Sequence, residues 1–162
     1  MTAQSPGQSL GTPQSRFVYV TYIKTTQDRL WEALTSREFM AQYWLGNQPE
    51  ADWRPGGKWK IVRPNGEPTD SGEILEFEPK KRIVIKWLNE WSQDLKAEGY
   101  STCTMEIEPA GKPGEESMKL TVTHTMERQD SKLIVAVGGG WPLILSNLKS
   151  VLETGQPLLR QK

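Results

Sequence analysis

Apolar and polar residues alternate through most of the chain between residues 56 and 125, which is the pattern of β-strands with one buried face. The clearest stretches are "KRIVIKWL", "STCTMEIEP" and "SMKLTVTHT", and the last two flank the turn-forming "AGKPGEE". Two strand patterns within residues 56–79 are joined by a turn at Asn65 and Gly66. A first strand, "RFVYVTYIK", precedes them. The pattern predicts this early strand and, after a helical interval, five or six antiparallel strands.

The spacing of apolar residues changes to three and four directly after the first strand, which indicates amphipathic helix. In "TTQDRLWEALTS", Leu30 and Leu34 lie on one stripe behind a cap at Thr25 or Thr26. The following "REFMAQYWL" predicts a second short helix that ends at Gly46. Two short helices are therefore expected between the first strand and the others.

A broader apolar stripe, from Trp141 to Leu152, predicts a long C-terminal helix that ends at Gly155. Three glycines, residues 138–140, precede it, and "DSKLIVAV" before them predicts a shorter helix. "GGGWPLIL" has neither the lysine nor the hydroxyl of a phosphate-binding loop. The glycines therefore predict a break between two helical segments, with Pro142 in the first turn of the second. The break is interpreted as a packed turn or, alternatively, as a mobile lid.

The order of these elements predicts an α+β fold in which a curved antiparallel sheet wraps around the long C-terminal helix. Residues 1–15 are rich in Ser, Gln, Gly and Pro and are expected to form a disordered tail. Residues 16–155 are expected to form one domain, and residues 156–162 a short C-terminal tail. Because a sheet that curves around one helix leaves space beside it, a cavity is expected between the two.

Composition narrows the classes of partner. The 20 basic and 20 acidic residues cancel, and a neutral chain lacks the basic footprint that nucleic acids and anionic membranes require. The single cysteine cannot form an internal disulfide, and no apolar run is long enough to span a membrane. The first residues also lack the pattern of a signal peptide. We therefore expect a cytoplasmic protein with no nucleic-acid partner and no membrane insertion.

Seven tryptophans are more than a chain of this length usually carries, and large aromatic side chains either fill cores or line apolar pockets. The inward faces of the predicted strands and helices define a set of expected cavity-lining residues. They are Trp44, Trp59, Ile74, Trp87, Cys103, Met105, Leu120, His124, Trp141 and Leu145. No His/Cys cluster has the spacing of a metal site, so neither a metal nor a cofactor is predicted.

Reactive side chains are few in this cavity. If Ile107 faces Met118 across the last hairpin, His124 lies diagonal to Cys103 on the inward face. A Cys–His pair can form a thiolate nucleophile, but the sequence marks no third, orienting group, and a single polar contact is the favoured role of His124. Burial predicts a pKa of His124 below its ordinary value. Among the carboxylates Glu73, Glu76, Glu78, Glu106 and Glu108, Glu76 is the exception that the stretch "GEILE" places inward, with Gly72 and Ile74.

Four stretches occur in a fixed order: "TTQDRLWEALTSREFMAQYW", "DWRPGGKW", "GEILEFEPKKRIVIKW" and "GGWPLILSNLKSVLETG". They resemble the START-like (SRPBCC, helix-grip) superfamily and, within it, the branch named after the activator of heat-shock protein 90 ATPase. The resemblance implies the helix-grip fold over nearly the whole folded chain. It does not imply one activity, because the superfamily includes lipid carriers, hormone receptors and cyclases.

Together these observations favour the binding of a hydrophobic or amphipathic small molecule in the cavity between the sheet and the C-terminal helix, without a cofactor. One alternative is an enzyme of the cyclase or hydrolase type that uses His124 or Glu76 as acid or base in the same cavity. A second alternative is a protein-interaction module related to the chaperone activator. The expected partner is an apolar small molecule, and no residue is assigned a catalytic role.

Overall fold

The computed structural model describes residues 14–159. Its elements in chain order are β1 (Ser15–Ile23), α1 (Gln27–Thr35), α2 (Arg37–Tyr43), β2 (Gln48–Ala51), β3 (Lys58–Val62), β4 (Pro68–Glu78), β5 (Arg82–Asn89), α3 (Gln93–Ala97), β6 (Ser101–Ala110), β7 (Ser117–Met126) and α4 (Lys132–Thr154). The predicted α+β helix-grip architecture is confirmed, whereas β2 and α3 have no counterpart among the predicted elements. Residues 1–13 of the predicted N-terminal tail and residues 160–162 of the predicted C-terminal tail lie outside the described residues.

The strands form one antiparallel sheet in the order β1-β7-β6-β5-β4-β3-β2. Strands β2 to β7 are neighbours in sequence and in space, whereas β1 crosses over to pair with β7. Alternation decides which side chains face inward, as β7 shows most clearly. Its Met118, Leu120, Val122 and His124 are buried, and the residues between them are only partly so. The inner face of the sheet thus presents a nearly continuous apolar surface to the helices.

Helix α4 is continuous, so the predicted break at residues 138–140 is wrong, and both interpretations of it, as a packed turn and as a mobile lid, are wrong with it. Pro142 lies inside the helix and not in a first turn. Buried residues on both sides of the glycines hold the helix against the sheet, and this packing outweighs the poor helix propensity of glycine and proline. Gly138 also lies close to β1, because a Cβ there would be 3.2 Å from Cδ1 of Phe17.

Both ends of α4 are fixed by polar contacts. Ser131 caps the start, where its Oγ accepts a hydrogen bond from the backbone N–H of Ile134 at 3.1 Å. Glu98, just after α3, accepts from Ser131 Oγ at 2.6 Å and from the N–H of Lys132 at 2.8 Å, which ties α3 to the start of α4. At the other end, the predicted stop at Gly155 is confirmed, with φ of 82° in the left-handed region that favours glycine.

The C-terminal half of α4 packs on the sheet and on α1. Leu145 and Leu148 are buried in one cluster with Leu30 and Leu34, the predicted stripe of α1. Thr26, one of the two predicted caps, is the N-cap of that helix. Helix α4 is the one helix among residues 14–159 that is long and apolar enough to cross a membrane, but its buried side chains make it the core helix of this fold.

Candidate functional site

A pocket of about 210 Å³ opens where β4 and β5 meet the N-terminal half of α4. The helix contributes Leu133, Ala136, Val137, Gly140, Trp141 and Ile144. The rest of the lining comes from the C-cap of α2, from β4, from β5 and from the loop after β5: Trp44, Asp70, Trp87, Asn89 and Trp91. A Cβ added at Gly140 would meet no atom within 4 Å, so this glycine leaves open space in the helix wall. The pocket is a mostly apolar recess with a few polar groups, as small-molecule sites usually are.

Three indoles form a corner of this pocket. The ring centroids of Trp44 and Trp141 are 5.3 Å apart, and the ring planes meet at 80°. Trp87 and Trp141 are 5.8 Å apart at 66°, whereas Trp44 and Trp87 are 6.4 Å apart and closer to parallel, at 26°. Edge-to-face contacts of this kind are favourable between aromatic rings. Two nearly parallel rings thus meet a third almost at right angles.

Hydrogen bonds fix two of these three indoles. Trp87 Nε1 donates to Oδ1 of Asp70 at 2.8 Å, and Trp141 Nε1 donates to Nδ1 of His124 at 3.2 Å. The sequence explains the placement, because Trp87 occupies an inward position of the alternating strand β5 and Trp141 lies on the buried stripe of α4. The corner is therefore built from regular elements and held by polar contacts behind it.

Asp70 is the acidic group in the pocket lining, and only 8% of it is exposed. Its Oδ2 accepts a hydrogen bond from Thr69 Oγ1 at 2.8 Å, and its Oδ1 accepts the indole N–H of Trp87. Burial raises the pKa of the Asp70 carboxyl to about 6, although both hydrogen bonds act in the opposite direction. Its cross-strand partner Asn89 accepts the backbone N–H of Trp91 at 3.2 Å and so holds the loop that carries that indole.

Asp70 and Asn89 are absent from the predicted site. For Asp70 a signal exists in β4, because the prediction places Gly72 and Ile74 inward and the same alternation extends to Asp70. No comparable signal marks Asn89, whose burial depends on the pairing of β4 with β5.

Three of the ten predicted lining residues, Trp44, Trp87 and Trp141, line the pocket. The other seven lie in the packed interior and are at most 7% exposed: Trp59, Ile74, Cys103, Met105, Leu120, His124 and Leu145. Side chains therefore fill most of the space that was expected between the sheet and α4. The pocket lies at one end of that space.

His124 is buried, and both of its ring nitrogens have partners. Nδ1 accepts from Trp141 Nε1, so the neutral ring carries its proton on Nε2, which lies 2.7 Å from Ser101 Oγ. Ser101 Oγ in turn donates to the backbone carbonyl of Trp87 at 3.3 Å. Burial lowers the pKa of His124 to about 4, which is the predicted direction. With both nitrogens occupied, His124 links the sheet to α4 and offers no free polar atom to a ligand.

The register of the last hairpin differs by two residues from the predicted one. Ile107 pairs with Leu120 and not with Met118, so Cys103 lies directly opposite His124 and not diagonal to it. Burial raises the pKa of the Cys103 thiol well above its ordinary value, and the nitrogens of His124 are bonded to other groups. This pair therefore does not supply a thiolate nucleophile.

The prediction of an inward Glu76 is wrong. Strand β4 is irregular at this point, because Ile74 and Glu76 pair with the adjacent residues Ile85 and Val84 of β5. One extra residue at such a bulge reverses the alternation that follows it. Glu76 is therefore exposed and forms an ion pair with Arg82 at 3.6 Å.

A larger depression of about 940 Å³ lies on the outer face of the sheet. Charged side chains, among them Lys86, Glu127 and Arg128, make up much of its lining, so it is less suited to burying an apolar molecule. Within residues 14–159, no group of three or more His, Cys, Asp or Glu side chains could hold a metal ion.

An antiparallel sheet gripping a long C-terminal helix, with two short helices after the first strand, defines the START-like (SRPBCC) class of helix-grip proteins. The family model described as "Activator of Hsp90 ATPase homolog 1-like protein" matches residues 24–153. The chain belongs to this family. No curated protein matches the chain.

Several solved structures share the fold. CalU16 from Micromonospora echinospora is 22% identical, with a TM-score of 0.68 over 88% of this chain and 76% of CalU16. The Aha1 dimer from Colwellia psychrerythraea is 18% identical, with a TM-score of 0.68 over 87% of this chain and 98% of the other. PFC0360w, an HSP90 activator from Plasmodium falciparum, is 23% identical, with a TM-score of 0.65 over 85% of this chain and 95% of the other. At these identities the likeness shows the fold alone.

Proposed function

We propose that the protein binds a small apolar or amphipathic molecule in the pocket lined by Trp44, Trp87 and Trp141. The observation that carries this proposal is a corner of three indoles beside about 210 Å³ of open space. A ligand buried there removes apolar surface from water at about 25 cal/mol per Å². Because drug-sized sites occupy roughly 300–1,000 Å³, the bound group is a small molecule or one end of a larger one.

The pocket walls are ordered by contacts that do not depend on a ligand. The indole N–H groups of Trp87 and Trp141 are bonded to buried side chains, and Asn89 holds the loop of Trp91. A site ordered in advance loses less entropy when a ligand binds. This arrangement supports binding with little rearrangement of the protein.

Adjacent glycines of α4 give a matched test. Gly140→Leu fills the open space of the pocket, whereas Gly139→Leu places the same side chain on an exposed position outside the lining. The two changes have the same effect on intrinsic helix propensity. We expect the wild type and Gly139→Leu to bind the neutral fluorophore 1-aminoanthracene with quenching of tryptophan emission, and Gly140→Leu to bind it at least about tenfold more weakly.

Native mass spectrometry of the freshly purified proteins provides a second readout. A co-purified small molecule is expected on the wild type and on Gly139→Leu but not on Gly140→Leu, since Gly140 lines the pocket and Gly139 does not. Equal binding of the fluorophore by the two variants would place the binding site elsewhere and overturn the proposal.

Acid–base catalysis in the same pocket is a second candidate, favoured by one observation. The pKa of Asp70, raised by burial to about 6, is close enough to neutrality for proton transfer. His124 and Glu76, the residues that the sequence favours for this role, are respectively bonded in the interior and exposed. Multiple turnovers on esters, lactones or polyketide-like compounds that disappear in Asp70→Asn would favour the enzyme over the binding protein.

Contact with a chaperone is a third candidate, supported by the family match and by the relative described as an HSP90 activator. A pull-down with Hsp90 and an ATPase assay test it. Stimulation that is equal for the wild type and Gly140→Leu would assign such a role to a surface other than the pocket. The cytoplasmic location expected from the sequence stays a prediction.

A further inference from the structure

Asp70 is the one ionisable residue in the pocket lining within residues 14–159. Its hydrogen-bond donors, the indole of Trp87 and the hydroxyl of Thr69, are both neutral. The nearby Glu90 adds a like charge and is itself paired with Lys96, at 2.6 Å. Among the described residues, the Asp70 carboxylate therefore has no cationic partner.

A carboxylate in this position lowers the stability of the fold at neutral pH. Its pKa of about 6 leaves the carboxyl mostly ionised at pH 7. Because this pKa is raised above the ordinary value of 3.8, the protonated carboxyl favours the folded state. This contribution to stability is present below about pH 4 and is lost as the pH rises through 6. An asparagine would avoid the charge. A carboxylate that is charged at a pocket wall, at a cost in stability, is a candidate for a binding residue.

The indole faces supply a second source of negative potential. An aromatic face attracts a cation that lies within about 6 Å of the ring centroid, and tryptophan does so most strongly. The rings of Trp44 and Trp141 lie at 80° to each other in the pocket lining, and the exposed Trp91 adds a further indole. No lysine, arginine or histidine lines this described pocket, so no protein cation competes for the site.

From these contacts we propose that the pocket binds a small cationic nitrogen centre, a quaternary or alkylated ammonium group, against the indoles of Trp44, Trp87 and Trp141 and beside the carboxylate of Asp70. This inference rests on the proposed function and names the class of its ligand. The apolar walls fit the alkyl groups that surround such a nitrogen, whereas the carboxylate and the ring faces balance its charge.

The size of the pocket agrees with such a group. Its volume of about 210 Å³ equals that of about seven water molecules at ~30 Å³ each. This is room for a trimethylammonium group and a short chain. Any longer part of the ligand leaves the pocket past Trp91, whose indole is 58% exposed.

Choline and 3,3-dimethylbutan-1-ol test the proposal, because they differ in having a cationic nitrogen or a neutral carbon at the same place. In isothermal titration calorimetry at pH 7.5, we expect the wild type to bind choline chloride about tenfold or more tightly than the alcohol. Asp70→Asn should remove this preference, because it should weaken the binding of choline about tenfold and change the affinity for the alcohol by less than about twofold. Asp94→Asn, the same change on an exposed residue of α3, is the matched control and should keep the preference.

The pH dependence gives an independent signature. Choline affinity of the wild type should fall as the pH is lowered through about 6, because protonation removes the charge of Asp70. Glu90, whose pKa is lowered by its hydrogen bonds with Lys96 and Ser71, keeps its charge over this range. His124, packed near Trp87, stays neutral above about pH 4. Asp70→Asn should therefore show no such fall.

The proposal is overturned if the wild type does not prefer choline to the alcohol, or if Asp70→Asn keeps that preference. Should Asp70→Asn fail to fold, Trp44→Leu replaces it, since it keeps an apolar wall but removes one ring face. This substitution should weaken the binding of choline several-fold more than the binding of the alcohol. The proposed function is judged separately, by the fluorophore with Gly140→Leu and Gly139→Leu, so a failure of the inference can be told apart from a failure of the proposed function.

Discussion

Two buried ionisable residues on the inner face of the sheet, His124 and Asp70, each accept a hydrogen bond from a tryptophan. His124 accepts from Trp141, is bonded on its other nitrogen to Ser101, and lies outside the pocket lining. Asp70 accepts from Trp87 and from a hydroxyl group, and it lines the pocket. An indole N–H is the donor at both sites. The acceptor is enclosed by the protein at His124 but lies beside the pocket at Asp70.

Burial acts on both groups in the same way, since it favours the neutral form. It lowers the pKa of His124 to about 4 and raises that of Asp70 to about 6. At neutral pH this leaves the histidine uncharged and the aspartate largely charged. A neutral side chain with all its partners inside the protein serves the fold, whereas a charged one beside open space is available to a ligand. The comparison predicts opposite responses to substitution.

The largest expected effect is at His124. Replacement by phenylalanine leaves the buried indole N–H of Trp141 without an acceptor, which costs about 1–3 kcal/mol of stability. The larger ring also overpacks the site, which costs a similar amount. We expect a loss of about 2–5 kcal/mol in the free energy of unfolding, measured with urea. Thr125→Val, one position along the strand and only partly buried, should cost under about 0.5 kcal/mol. Similar values for the two variants would mean that His124 is not a structural link.

The intermediate effect is a gain of stability at the other site. Asp70→Asn should raise the free energy of unfolding at pH 7 by about 1–3 kcal/mol, because it removes a buried charge. The gain should shrink towards pH 4, where Asp70 is protonated in the folded protein. The pH dependence at His124 has the opposite sign. The neutral ring contributes stability that is fully present above its ordinary pKa of 6.5 and is lost as the pH falls through its folded-state pKa of about 4. Unfolding curves from pH 4 to 8 measure both slopes. A gain in Asp70→Asn that grows on acidification would contradict this assignment.

The smallest expected effect compares two glycines of α4. Gly139→Ala should stabilise the protein by about 0.5–1 kcal/mol, because the position is helical, exposed and free of neighbours. Gly138→Ala should gain less than Gly139→Ala, since its Cβ would lie 3.2 Å from the ring of Phe17. Thermal melting of both variants measures the difference. Equal gains would show that Gly138 is not kept for close packing against β1.

Alternation along the strands predicted the architecture well, but it could not set the register of the last hairpin. The predicted and observed pairings, Ile107 with Met118 and Ile107 with Leu120, differ by two residues. A shift of two keeps every side chain on the same face, so the hydrophobic pattern satisfies both registers equally. The bulge before Glu76 escaped prediction for the opposite reason, because it inserts a single residue and reverses the face.

The aromatic part of the site could be predicted and the acidic part was not. Trp87 and Trp141 follow from the inward positions of β5 and α4. Asp70 shares the face of Ile74, but a carboxylate is normally expected to face water. The hydrophobic pattern could not predict the volume of the cavity either, since that volume depends on how tightly the side chains pack in the interior. That is why residues such as Leu120 and Leu145 were expected around a cavity and lie in the packed core.

The continuity of α4 has a consequence for its amide hydrogens. Pro142 has no N–H to donate to the carbonyl of Gly138, and three glycines precede it, so the turn beside the pocket is intrinsically the weakest of the helix. The two ends are anchored, by Glu98 at the start and by the cap at Gly155. We therefore expect local opening, and with it hydrogen exchange, to concentrate in this middle turn. If a molecule packs against Trp141 as proposed, exchange should slow there first, and the helix should report occupancy of the pocket through one turn while its ends stay unchanged.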